Sequence, residues 1–298
     1  MAELTMLAEM MDRDLPASVS RLAELNIRHL DLKTSVFGRA IEDLDNQHRE
    51  ELAALIAVSG SSVYCFSSTL GHRNVCTVDE RTFRAEMEAG IANMIATAQT
   101  VRPAKVRLLS CWLGEHRHEP DQLAMVEQHV PWVIAAYRDA IDQIAEAGLA
   151  PTIENEPHTI LASPEGTIAF FERLERPSVT YTWDVQNMWQ SGSYPSLEAY
   201  YTLRPIMDYF HLKGGRSTDG ARGPLAFRCP LAHASWPVRE ILDAVLADGA
   251  SPVICLNPSH GAVLENYAFG SLDDRAAMMR TEALHDVDYL RANFGAIA

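Results

Sequence analysis

Short apolar runs alternate with longer amphipathic stretches along the whole chain. The runs at residues 5–10, 27–32, 61–66, 104–109, 150–154, 179–184, 207–213 and 252–256 predict eight strands. Between them, helical periodicity covers 18–25, 42–58, 79–100, 163–174, 197–203, 237–246 and 271–292. Ser18, or the residue before it, stands near the cap of the first helix. Ser163-Pro164-Glu165 opens another as a cap followed by a first-turn proline. A long helical stretch at 119–147 carries Pro131, which predicts a kink or a break into two helices, and Gly148 follows as a stop. Residues 214–234 show no period and read as a long functional loop or lid at an active site or interface.

Eight strand–helix units without a linker imply parallel pairing. Over 298 residues they fit a single closed (β/α)8 TIM barrel spanning 1–298. An open doubly wound sheet would carry a glycine-rich first turn, and Met11-Asp12-Arg13-Asp14 has no glycine. Hydrophobic content of 47% suits a large core.

A net charge of −15 repels phosphate backbones, so nucleic acid is excluded as a default partner. No run is long enough to span a bilayer, and the N-terminus lacks a basic segment leading into an apolar one. Cys65, Cys76, Cys111, Cys229 and Cys255 show no knuckle or redox spacing, which favours a reducing, cytoplasmic setting. Cys65, Cys111 and Cys255, near strand ends, read first as small buried apolar residues.

Candidate chemistry lies where strands five to eight end. Glu154, Asp184, His211 and Asn257 each close an apolar run. Barrels carry their sites at that end, and adjacent strands lie about 4.8 Å apart. Two carboxylates and an imidazole converging there suit a divalent cation such as Mn, Co, Zn, Fe or Mg. A lone Asp, Glu or His at a strand end is more often a helix cap or a hydrogen-bonded loop residue than a ligand. Their succession on neighbouring strands is what points to a metal.

The segments Ile153-Glu154-Asn155 with Pro157, Trp183-Asp184-Val185 with Asn187, and Phe210-His211-Leu212-Lys213 resemble the xylose-isomerase-like barrel superfamily of sugar isomerases and epimerases. Asp31-Leu32-Lys33 at the second strand end fits the same pattern. The resemblance implies Glu154, Asp184, His211 and the residue at Asn257 as metal ligands, with Glu154 also as acid/base. In the epimerase branch the eighth strand ends in glutamate, the second acid/base. Asn257 holds that place here, and an amide takes no proton at neutral pH. A shift of register would bring His260 or Glu265 there instead.

Lys213, two beyond His211 on the same face, is a candidate to hold an enolate oxygen, and His72 a candidate base. Glu156, His158, Trp183, Gln186 and Asn187 are candidate substrate contacts, with Arg216 and Arg222 of the long loop for an anionic group. The blander readings are solvated loops for the charges and a core filler for the tryptophan. The reaction expected is isomerisation or epimerisation of a keto sugar or polyol. Dehydration or elimination on a keto-inositol or oxidised glycoside, and a non-catalytic sugar-binding or protein-interaction barrel, are the alternatives. The resemblance also implies a homodimer or homotetramer.

Overall fold

In the computed structural model, residues 1–217, 222–226, 228–258 and 272–297 are described. Eight parallel strands close on themselves in sequence order, so that β1 pairs with both β2 and β8. They are β1 Glu3–Leu7, β2 His29–Leu32, β3 Ser62–Ser67, β4 Lys105–Leu109, β5 Ala150–Glu154, β6 Thr180–Asp184, β7 Met207–Leu212 and β8 Val253–Leu256. Helices α1 Leu15–Glu24, α2 Asn46–Ser59, α3 Glu80–Val101, α4 Gln122–His129, α5 Trp132–Glu146 and α6 Pro164–Leu174 come first along the chain. Then follow α7 Val185–Gln190, α8 Leu197–Leu203, α9 Val238–Asp248 and α10 Leu272–Asn293. No described helix is long and apolar enough to cross a membrane.

Local chemistry explains the boundaries. Asp14, Asp45, Asp79, Asp121, Ser163 and Ser196 each place a side-chain oxygen on a free N–H of the following first turn. Asp14, not Ser18, therefore caps α1. Ser18 is buried, and its hydroxyl donates to the Ala8 carbonyl at 2.5 Å. That carbonyl belongs to a 3-10 turn, Ala8–Met10, so β1 ends before residue 10 and begins earlier than the hydrophobic run suggests. The long stretch at 119–147 breaks into α4 and α5 around Pro131, whose ring stands just before α5. The stretch at 42–58 starts as a separate 3-10 turn, Ile41–Asp43, before Asp45 caps α2.

Strand parity sorts side chains between two compartments. Trp183 and Phe210 face the helices, where Trp183 stacks on Tyr200 of α8 with ring centres 6.5 Å apart. The alternate positions face the barrel axis. The Tyr209 hydroxyl donates to Asp31 at 2.7 Å. Their strands, β7 and β2, are not neighbours, so this contact crosses the interior. That interior is polar: Asp31, Arg107, Thr152, Glu154, Thr182, Asp184 and His211 are all buried within it.

Candidate active site

The mouth of the barrel is built by one inward-facing residue each from β5, β6 and β7. Glu154, Asp184 and His211 offer donor atoms that all lie within 4.8 Å of one another, and all three are buried. His211 Nδ1 stands 3.1 Å from Glu154 Oε1. Asp184 does double duty: one oxygen caps α7 by accepting from the N–H groups of Gln186 and Asn187, at 3.1 and 3.0 Å. The other oxygen faces the site.

Two organic cations enter the cluster. Arg107, buried on β4, sets Nη1 at 2.5 Å from Glu154 Oε2, while its Nη2 donates to the carbonyls of Ser67 and Ser68. Lys213 sets Nζ at 2.7 Å from Asp184 Oδ2 and donates to Asn187 Oδ1 at 3.1 Å. Burial opposes ionisation of Glu154, but Arg107, His211 and Lys213 outweigh it and hold that carboxyl well below the usual range. Asp184 goes the other way. Burial, aided by the Glu154 charge, outweighs Lys213 and raises its carboxyl. Environments that push two adjacent carboxyls apart give them different proton-carrying roles.

The donor set suits a divalent ion on its own evidence. His211 Nε2 and Asn257 Oδ1 are buried without a hydrogen-bond partner, while Asp184 Oδ2 and His211 Nδ1 meet only the ion-pair contacts to Lys213 and Glu154. Buried polar atoms left open are costly unless something satisfies them. Asn257 follows β8 on the inward parity of Cys255, and its backbone N–H is held by the Leu212 carbonyl at 3.1 Å. His260 and Glu265 lie outside the described residues.

Other expected residues divide into those at the mouth and those away from it. Asn187 Nδ2 donates to Glu156 Oε2 at 3.2 Å, so Glu156, Asn187 and Lys213 form one row leading to Asp184. Gln186 Nε2 donates to the Gly214 carbonyl and joins β6 to the start of the long loop. Trp183 departs from that expectation: alternation with Asp184 turns it outward, buried against Tyr200 and Phe210 on the helix side of the sheet. Arg216 is exposed, and Arg222 lies over the Tyr194 ring at 5.9 Å, so neither reaches the carboxylates.

His158, at φ 59, gives its N–H to Ser191 Oγ and packs edge-on to His118 with ring centres 5.3 Å apart. Burial, with His118 and Arg117, lowers its pKa. His72 packs on Trp112 at 4.5 Å beside a cavity of about 1030 Å³ between α2 and α3. Gly71 makes that turn: a Cβ there would meet the Leu109 carbonyl oxygen at 2.3 Å. None of Glu154, Asp184 and His211 lines this cavity, so it is not where the convergent chemistry sits.

Arg107 is the residue sequence reasoning passed over. Its signal was present: a charge inside Val106-Arg107-Leu108-Leu109, in a strand covered on both faces, needs a buried partner.

A closed parallel barrel with a buried carboxylate–imidazole cluster at its strand ends defines a class, the (β/α)8 barrels with a candidate metal site at the mouth. The family model described as xylose isomerase-like TIM barrel matches residues 19–277, and the chain belongs to that family. Among solved structures it is similar to D-psicose 3-epimerase with D-tagatose from Clostridium cellulolyticum H10. That match has 13% identity and a TM-score of 0.68, covering 98% of this chain and 99% of that one. A xylose isomerase-like TIM barrel protein from Mycobacterium smegmatis in complex with magnesium matches at 18% identity and TM-score 0.63, over 97% of each chain. The probable 3-DHS dehydratase AsbF from Bacillus anthracis matches at 14% identity and TM-score 0.63, covering 94% and 98%. No curated protein sequence matches this chain.

Proposed function

We propose that the protein is a divalent-metal-dependent isomerase or epimerase of a keto sugar or related polyol, acting by proton abstraction beside a carbonyl. The convergence of Glu154, Asp184 and His211, buried together at the barrel mouth, carries the reading. Glu154, Asp184 and His211 would hold the ion, with Asn257 Oδ1 as a neutral fourth donor. When bound, the ion supplies Lewis-acid stabilisation of the oxygen that gains charge.

The chain's own groups supply the rest. Lys213 presents an ammonium beside Asp184 and suits an enolate oxygen, a charge that develops only as the proton leaves. Glu154 is the carboxylate set among these groups and is assigned proton abstraction. Its pairing with Arg107 keeps it ionised and so able to accept the proton from a carbon acidified by its carbonyl. Glu156 and Asn187 line the approach and orient hydroxyls.

Asn257 favours a second reading. Returning a proton to the opposite face of a carbon needs a second acid, which an amide does not provide. Elimination from a keto-inositol or an oxidised glycoside needs one base and one acid. Glu154 and Lys213 suffice for that.

Solvent-deuterium exchange over a panel of keto sugars and keto-inositols, run with added divalent ion and with chelator, tests both. Exchange without loss of water or aglycone supports the isomerase, and release of either supports the lyase. Glu154→Gln lowers turnover by about 10²–10⁴-fold. Metal-indifferent protein, or a Glu154→Gln variant of normal turnover, refutes the catalytic assignment.

A further inference from the structure

Below the mouth, His211 turns its second nitrogen toward another group of donors. His211 Nε2 lies 3.8 Å from Asp31 Oδ2, and Cys255 Sγ lies 3.8 Å from the same oxygen. Asp31, His211 and Cys255 offer one donor atom each within 4.8 Å of one another, and all three are fully buried. They come from β2, β7 and β8 and face the barrel interior. His211 is shared with the mouth cluster, whereas Asp31 and Cys255 are not part of it.

The spacing is informative. A gap of 3.8 Å between His211 and Asp31 is too long for a hydrogen bond. Bonds of about 2.0–2.3 Å around a tetrahedral zinc ion set its donors about 3.3–3.5 Å apart. The two measured edges need to contract by only a few tenths of an ångström. His211 Nε2 and Asp31 Oδ1 are both buried without a hydrogen-bond partner. Asp31 Oδ2 already accepts from the Tyr209 hydroxyl, a contact of the kind that orients a ligating carboxylate. Glu154 and Asp184 have Arg107 and Lys213 as partners, whereas Asp31 has no Lys or Arg within 4.0 Å among the described residues.

We propose that Asp31, His211 and Cys255 form a second, deeper metal position, selective for a thiolate-loving ion such as Zn²⁺ or Co²⁺ over Mg²⁺. Sulfur and imidazole set that preference, and the mouth position has no sulfur donor. Filling the deep position alone sends the Cys255 thiol proton to solvent. Filling both positions also releases the remaining N–H proton of His211, whose ring then bridges the two ions.

Cobalt titration of the full chain, followed by electronic absorption and metal analysis, tests the proposal. The expected result is a thiolate-to-cobalt charge-transfer band in the near ultraviolet. The band is lost in Cys255→Ser and Cys255→Ala, while the mouth still takes up metal. It persists in Asp184→Asn and in Cys76→Ser, which removes the exposed thiol. Tyr209→Phe weakens the binding that produces it by about 10-fold. Circular dichroism melts confirm that each variant is folded. If Cys255→Ser and Cys255→Ala both fail to fold, loss of the band in Asp31→Asn decides instead. Cobalt binding without a band, or a band that survives both Cys255 variants, overturns the deep site and leaves the mouth site standing. No cobalt binding at all overturns both.

Discussion

Replacing Arg107 with methionine tests the electrostatic design of the barrel interior. Arg107 and Glu154 are both almost completely buried, and their charged atoms stand 2.5 Å apart. Methionine keeps most of the side-chain volume and removes the charge, leaving Glu154 as an uncompensated buried carboxylate. Breaking a buried pair from one side costs about 3–5 kcal/mol. The carbonyls of Ser67 and Ser68 also lose the donor they share. With 298 residues and an unfolding entropy of about 2.1 cal/mol/K per residue, that cost lowers the melting temperature by roughly 5–8 °C.

The assay is thermal unfolding by circular dichroism, in chelator and in a divalent-ion series. An ion bound to Glu154 supplies the missing positive charge. The variant should therefore bind the ion more tightly and recover more stability from metal than the parent does, by about 1.4 kcal/mol at saturating ion for each tenfold gain in affinity. Arg107→Met combined with Glu154→Gln removes both charges and should restore much of the loss in chelator, giving a favourable coupling in the double-mutant cycle. An Arg107→Met protein that melts with the parent in chelator and shows no larger response to metal refutes the reasoning.

Two further outcomes follow from single positions. Asn257→Glu adds an anionic donor where an orphaned amide oxygen stands, and should tighten divalent-ion binding by at least about tenfold on the view that a charged ligand outweighs a neutral one. Unchanged affinity by calorimetry would place Asn257 away from the ion. Burial pushes the Asp286 carboxyl up to about 7, against the N–H of Leu231 that it accepts and helped by nearby Glu282. Between the unfolded value near 4 and 7 the native chain holds a proton the unfolded chain has lost. This group's stabilisation is thus complete at low pH and falls as pH rises, by up to about 1.4 kcal/mol per unit. Asp286→Asn should flatten that slope and melt higher than the parent at pH 8. Equal slopes in denaturant titrations at pH 5 to 8 would exclude the assignment.

What could be read from the chain alone follows from how each signal is encoded. The barrel was legible because eight apolar runs and their intervening periodic stretches are local features. So was the placement of Glu154, Asp184 and His211 near the ends of their strands, because a polar residue at the close of an apolar run is conspicuous. Trp183 was misplaced although the same alternation that turns Asp184 inward turns its neighbour outward. Helix α7 was missed because its six residues carry too little periodicity to stand out, and its cap, Asp184, had been assigned to the site. Cys255 and Cys65 read as apolar fillers because their polar neighbour Asp31 is more than thirty residues from either and meets Cys255 only when the barrel closes. Arg107 depends for its partner on the pairing of β4 with β5, which brings together residues 47 apart in the chain.

Charge balance across the buried interior, from the mouth down to Asp31, connects Asn257 to the chemistry. Asp31, Glu154 and Asp184 face Arg107 and Lys213, which leaves one net negative charge when His211 is neutral. A divalent ion turns the group to one positive charge, and an enolate forming on a substrate then brings it to neutrality. Had Asn257 been a carboxylate, the ion-loaded site would already be neutral and the same enolate would make it anionic. The amide therefore exchanges a proton acceptor for a stronger pull on developing negative charge. That exchange suits a reaction whose difficult step is forming and holding the anion. It also places the burden of the second proton transfer on Lys213, the one ammonium at the mouth that touches both Asp184 and Asn187.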